Sequence, residues 1–124
     1  MPLRSVFLEA RFLCMVQAMK TIKENKLFRR LYYKGKKVVG KQLVLYYLPT
    51  KEECLVGYTV RKKVGKAVVR NKVRRRIKES FRGYEKNLLK KCNFVIVARS
   101  CAVDSDFNEI DQCLGELLLK AELI

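Results

Sequence analysis

Residues 60–79 read VRKKVGKAVVRNKVRRRIKE, with ten lysines and arginines before the first acid, Glu79. Gly65 and the lysines beside it break any regular element, so the stretch divides into the end of one element, a basic loop and the start of another. From about Val68 the second part is periodic. Val69, Val73, Ile77, Phe81, Tyr84 and Leu88 recur at intervals of four, four, four, three and four. On a helix they span about a third of the circumference, as expected for a helix lying on a sheet. The opposite side collects Asn71, Arg74, Arg75, Lys78 and Arg82, with Lys72 and Arg76 toward one flank. One face of this helix packs and the other concentrates positive charge.

Upstream, residues 42–48 (QLVLYYL) and 54–60 (CLVGYTV) read as strands, the first ended by Pro49 and Thr50. A polar turn at 51–53 joins them, which predicts a hairpin. Residues 36–41 read as a basic loop containing Gly40. Residues 21–34 place Ile22, Leu27, Phe28, Leu31 and Tyr32 at mainly three- and four-residue spacings, a helix with one apolar side that Gly35 stops. Downstream, residues 93–98 (NFVIVA) have the pattern of a central strand buried on both faces. From Asp106, residues Phe107, Ile110, Cys113, Leu114, Leu117 and Leu118 follow helical spacing, with Asp104 or Ser105 as the N-cap. This order of elements predicts an α/β fold with a small mixed sheet.

A chain of 124 residues, 49% apolar, is the size of one domain, here placed at residues 19–124. Residues 1–18 are expected to be an extension, either disordered or ahead of the true start, since Met15 and Met19 could each begin translation. Their apolar run is broken by Glu9 and Arg11 and is shorter than the roughly 18 residues of a membrane span. The net charge of +16 comes from 28 basic and 12 acidic residues, with no histidine. Such an excess points to a polyanionic partner, nucleic acid first. From Cys101 onward six acids face one lysine, so the last segment is expected to turn away from that partner. Five scattered cysteines without a C-x-x-C pair fit a reduced, cytoplasmic chain with thiols as small apolar fillers.

No nucleophile elbow, phosphate loop or metal-ligand spacing is present, and the acids before Cys101 form no evident cluster for Mg²⁺. No catalytic or metal-binding residue is therefore assigned. What remains is binding chemistry. A merely solvated helix face usually mixes charge signs one turn apart, whereas residues 61–78 contain no acid. Arginine forks suit phosphates, and Asn71 can bond sugar or base. Phe28 and Tyr32, one turn apart, and Tyr46, which points to the opposite strand face from Tyr47, could stack unpaired bases. Phe28 and Tyr46 could equally be core.

The stretch at 60–79 closely resembles the signature of the bacterial ribonuclease P protein family: a strand running into a lysine pair, a glycine loop and an arginine–asparagine helix. Lys62, Lys63, Gly65, Ala67, Val68, Arg70, Asn71, Arg75 and Glu79 all fit it. IKENKLFRRLYYKGK resembles the family's first helix, LVLYYL its first long strand and NFVIVAR, with Arg99, its later central strand, so the likeness spans about residues 21–119. Arg61 stands where the family usually has a small hydroxyl residue, and Lys72 and Lys78 where arginine is common.

The resemblance implies an α-β sandwich with a left-handed βαβ crossover, like the second domain of a small-subunit ribosomal protein. It implies a subunit of a tRNA 5′-end endoribonuclease whose RNA component is the catalyst and holds the Mg²⁺, so that the protein itself binds no cofactor. Its partners would be ribonuclease P RNA and precursor tRNA, with no membrane and no obligate protein partner. Together with the basic face, it assigns Lys63, Lys66, Arg70, Asn71, Arg74, Arg75, Lys78 and Arg82 to the RNA subunit. Phe28, Tyr32, Tyr46, Lys62 and Arg99 would take the 5′ leader of precursor tRNA. The alternative reading is an RNA-binding module with no part in cleavage, such as a ribosomal protein of similar fold. A basic protein lying on an anionic membrane would need residues 1–18 as an interfacial helix.

Overall fold

The computed structural model describes residues 19–124; the expected extension at 1–18 lies outside the described residues. Among the described residues there are five strands, β1 (Lys20–Thr21), β2 (Lys36–Val39), β3 (Leu43–Pro49), β4 (Leu55–Thr59) and β5 (Cys92–Ala98), and three helices. The helices are α1 (Asn25–Lys34), α2 (Ala67–Glu85) and α3 (Phe107–Lys120), with short 3₁₀ turns at Lys62–Val64 and Ser100–Asp104.

The strand order is β1-β4-β5-β3-β2. β5 runs parallel to β4 and antiparallel to β3, so the sheet is mixed, as predicted. Every residue of β5 is buried, which its unbroken apolar run requires. The chain passes from β4 to its parallel neighbour β5 by way of α2.

That placement overturns the expected hairpin. β3 and β4 do not pair, because β5 lies between them and pairs with β3 along its full length, from Leu43↔Ala98 to Pro49↔Cys92. A strand apolar on both faces is buried fully only with a neighbour on each edge, and this demand outweighs the short 51–53 turn. The hairpin that forms is β2–β3, with Lys36 opposite Tyr47 and Lys37 opposite Tyr46. Residues 36–39, read as loop for their charge, are an edge strand whose lysines stay exposed. Lysines at an exposed edge also oppose unwanted strand pairing.

The first helix also starts later than its apolar spacing suggested. Lys20 and Thr21 pair in parallel with Leu55 and Val56, and the Ile22 amide continues the ladder to the Val56 carbonyl at 3.0 Å. Ile22 is buried as expected, but as part of an extended segment. Gly35 ends α1 as predicted, its amide bonding the Leu31 carbonyl at 2.9 Å. α2 ends at Glu85, so Leu88, although buried, lies beyond it.

Strand alternation divides the core in two. On one face Leu43, Leu45, Val56, Phe94 and Ile96 pack with Val73, Ile77 and Phe81 of α2 and with Ile110, Leu114, Leu117 and Leu118 of α3. The Phe81 and Phe94 rings lie 5.6 Å apart, and burying each contributes about 1.5–3 kcal/mol. On the other face Val95 and Val97 pack with Ile22 and Leu31, and around them sit Leu27, Phe28, Val44, Tyr46, Leu48 and Leu55. Among the described residues α1 is the one helix on that second face, and its ten residues leave Val44 and Tyr46 part-exposed.

α3 begins one residue after Asp106, which is the N-cap in place of the expected Asp104 or Ser105. Its carboxylate accepts from the Glu109 amide, and Glu109 accepts from the Asp106 amide, a complete capping box. Asp111 fastens α3 to α2, taking the Ser80 hydroxyl at 2.7 Å on its carboxylate and the Tyr84 hydroxyl at 3.1 Å on its carbonyl. Gly115 permits this contact, since a Cβ there would lie 2.5 Å from the Tyr84 hydroxyl. Among the cysteines, Cys92 and Cys113 are buried, Cys54 is intermediate and Cys101 is exposed, with all four free; Cys14 lies outside the described residues.

Candidate nucleic-acid interface

The aromatic residues singled out in the sequence meet on the α1 face of the sheet. Tyr32 and Tyr46 stand edge to face, ring centroids 4.9 Å apart at 83°, a geometry favoured by the ring quadrupoles. The Tyr32 hydroxyl lies 3.2 Å from Thr59 Oγ1 at the end of β4, and the Lys37 ammonium sits 5.9 Å from the Tyr46 ring centroid. Phe28 is half-buried one turn earlier on α1. Its ring covers Gly57, where a Cβ would come within 2.5 Å of Cε1 and 2.7 Å of Cζ. Tyr47 points to the opposite core, as the alternation predicted.

The result is a partly covered apolar floor with a basic margin. Tyr32 is 39% exposed, so its ring is open to a ligand. Lys62 opens the 3₁₀ turn three residues beyond Thr59 and is exposed. Arg99 follows β5 and donates from Nη1 to the Gly40 carbonyl at 2.8 Å. That bond fixes the guanidinium at the β2–β3 turn while leaving most of its five donors unused.

The chain leaves the Tyr32–Thr59 contact through Lys62 and Lys63 and enters the basic helix. Arg70 Nε bonds the Gly65 carbonyl at 3.2 Å, so this arginine braces the glycine turn that aims α2. Arg74 Nη1 donates to Asn71 Oδ1 at 2.8 Å, holding two neighbours of the predicted face together. Asn71, Arg75, Lys78 and Arg82 are exposed, as are Lys63 and Lys66 in the loop. Arg76, placed on the flank by spacing, instead spans to the Ser105 carbonyl at 3.0 Å and ties α2 to the segment before α3.

Among the described residues a single ion pair forms, Lys20 with Glu53 at 3.4 Å. No lysine or arginine of α2 forms an ion pair among the described residues, although Arg82 acts electrostatically on Glu85 of the same helix. Lys78 and Arg82 also border an open depression at the β1 edge, whose far wall carries Lys26 and Arg30 of α1. Glu85 of α2 lines the depression as well. Burial pushes its carboxyl above the ordinary value, opposed by the Met19 amide and by Arg82. The nearby Tyr58 hydroxyl is likewise pushed up, first by burial and then by Glu85.

Three contributors escaped the sequence reading. Lys37 was hidden by the loop assignment of residues 36–41, and Thr59 offered no signal until Tyr32 was placed opposite it. Gly57 did carry one: an isolated glycine inside a strand pattern marks a close approach, here of Phe28.

A basic helix whose cations form no ion pair among the described residues, joined by a lysine loop to an aromatic floor, defines a basic α/β protein suited to RNA. A ribonuclease P family model matches residues 16–122. The ribonuclease P protein component of Caldanaerobacter subterraneus is 37% identical over 110 residues, 88% of this chain and 95% of that one. Its counterpart in Clostridium botulinum is 43% identical over 102 residues, 81% and 92% of the two chains. The solved Staphylococcus aureus RNase P protein aligns with a TM-score of 0.77 at 34% identity, over 86% of this chain and 98% of that one. The chain belongs to the ribonuclease P protein family: it is the protein subunit of the endoribonuclease that processes tRNA 5′ ends, and it works with the ribonuclease P RNA.

Proposed function

We propose that this subunit divides its RNA contacts between two surfaces. Asn71, Arg74, Arg75, Lys78 and Arg82, with Lys63, Lys66 and Arg70 leading into them, dock on the RNA subunit through its phosphates. The floor of Phe28, Tyr32 and Tyr46, bordered by Lys62 and Arg99, takes the unpaired 5′ leader of precursor tRNA. The observation that carries the second half is the edge-to-face Tyr32–Tyr46 pair on a sheet face that α1 only partly covers. An apolar, aromatic and accessible floor beside lysines suits stacked bases with a flanking backbone.

Cleavage chemistry belongs, on this reading, to the RNA subunit together with its Mg²⁺. Among the described residues no helix is long and apolar enough to cross a membrane. A cytoplasmic location is part of the proposal, as the compartment where tRNA precursors are made.

Leader shortening tests the proposal. Precursor tRNA bound to the reconstituted holoenzyme should lose affinity stepwise as the leader is trimmed, reaching a floor once it is gone. Equal affinity for leader-bearing and leaderless tRNA would contradict a leader site on the protein.

A further inference from the structure

The sheet-facing side of α1 is absorbed by the leader floor, but its outer side is not. Lys26, Arg29, Arg30 and Tyr33 follow the i, i+3, i+4, i+7 pattern of one helix face, with Lys34 beside them, and all are exposed. Tyr33 is 92% exposed, which is unusual for an aromatic ring with so much apolar area to bury. α1 contains no acid, and none of these cations forms an ion pair among the described residues. Like charges one turn apart destabilise an isolated helix, so the arrangement suits a face that meets an anion.

We propose that this outer face of α1 is a second RNA-docking surface, which takes an unpaired RNA segment by stacking a base on Tyr33 while Lys26, Arg29 and Arg30 hold the flanking phosphates. The inference rests on the reading of α2 as the RNA-subunit face. Lys26 and Arg30 share the depression at the β1 edge with Lys78 and Arg82 of α2, and its seven lysines and arginines outnumber Glu24, Glu52, Glu53 and Glu85, so a net positive lining connects α2 with α1 around that edge. An RNA bound on α2 thus has a path to the outer strip that does not pass through the leader floor. Charge selects RNA over an apolar partner, and the exposed ring selects unpaired bases over a duplex, whose bases are already stacked.

The test is fluorescence-anisotropy binding of a 12-nucleotide oligouridine to the intact protein. Tyr33→Ala should weaken binding about 5-fold or more, and Tyr33→Phe, which keeps the ring, should stay within about 2-fold of the parent. The Tyr33→Ala loss should persist in a Tyr46→Ala background, because the two rings serve separate sites. Arg29→Glu/Arg30→Glu should lower the salt slope by roughly one to two. Circular dichroism should show every variant folded, since the altered side chains are exposed. Parent-like binding by Tyr33→Ala, loss of its effect in the Tyr46→Ala background, or no oligouridine binding by the parent would each overturn the proposal. Binding to ribonuclease P RNA, run in parallel with Arg75→Glu, separates the two readings. If Arg75→Glu weakens that binding while Tyr33→Ala leaves oligouridine binding unchanged, the outer strip falls and the α2 reading stands. If Arg75→Glu changes nothing, the α2 reading falls and this inference falls with it.

Discussion

Tyr32 and Tyr46 reach each other from different elements, one from a helix and one from a strand, and meet edge to face at 4.9 Å. The contact orients both rings before any ligand arrives, and Thr59 at 3.2 Å from the Tyr32 hydroxyl fixes the helix end of the pair. A preset aromatic floor loses little side-chain freedom on binding, which favours affinity.

Replacing Tyr46 with alanine removes one ring and releases the other. Precursor tRNA with a leader should then bind the holoenzyme more weakly by about 1–3 kcal/mol, while leaderless tRNA is unaffected. Competition binding with the two RNAs checks this, and an equal loss on both would remove Tyr46 from the leader site.

Gly57 is where strand β4 makes room for Phe28. A Gly57→Ala change puts a methyl 2.5–2.7 Å from the ring and should destabilise the fold by about 1–3 kcal/mol, as overpacking does. Urea denaturation measures the loss. Combining the change with Phe28→Leu should recover part of the stability, because the smaller side chain vacates the clash.

The charge of α2 predicts a salt effect. Arg75→Glu should weaken binding to ribonuclease P RNA and flatten the dependence of log K on log salt by roughly one unit, since each phosphate contact releases counterions. An unchanged slope would mean that this face of α2 meets solvent in the complex.

Glu85 gives a pH signature. Its folded carboxyl titrates above the ordinary value of 4.5 because burial disfavours the charged form. The folded state therefore holds the proton more tightly than the unfolded chain. The resulting stabilisation is complete below the ordinary carboxylate range and is lost as pH rises through the folded value. Glu85→Gln should accordingly stabilise the protein more at pH 7 than at pH 4 in denaturation experiments. A difference of the opposite sign would contradict the burial argument.

Asp106 caps α3 and is not among the residues assigned to either RNA surface. Asp106→Ala should lower stability by about 1 kcal/mol, read from denaturation, and leave RNA binding as it was.

The parts legible in the sequence were those encoded by local spacing. The four-residue rhythm of Val69, Val73, Ile77 and Phe81 located the packed side of α2, and the apolar run of residues 93–98 located the central strand. Partner choice between strands is non-local and was not legible. Residues 42–48 and 54–60 look like a hairpin until β5 competes for the place between them. Lys36 and Lys37 resemble loop residues because nothing in their types reveals that an edge strand leaves them in water. The same gap concealed the approach of Lys37 to Tyr46, which follows from β2–β3 register alone. For the candidate site, the residue types were legible and their meeting was not: Phe28 and Tyr32 come together with Tyr46 because α1 packs on the Val95–Val97 face of the sheet.

Whether this protein equips a catalytic RNA to process precursor tRNA is read from cleavage at low Mg²⁺. A bacterial ribonuclease P RNA with this protein should cleave precursor tRNA at the mature 5′ end far faster than the RNA alone, and the protein alone should not cleave. No acceleration despite tight RNA binding, or cleavage by the protein without RNA, would contradict it.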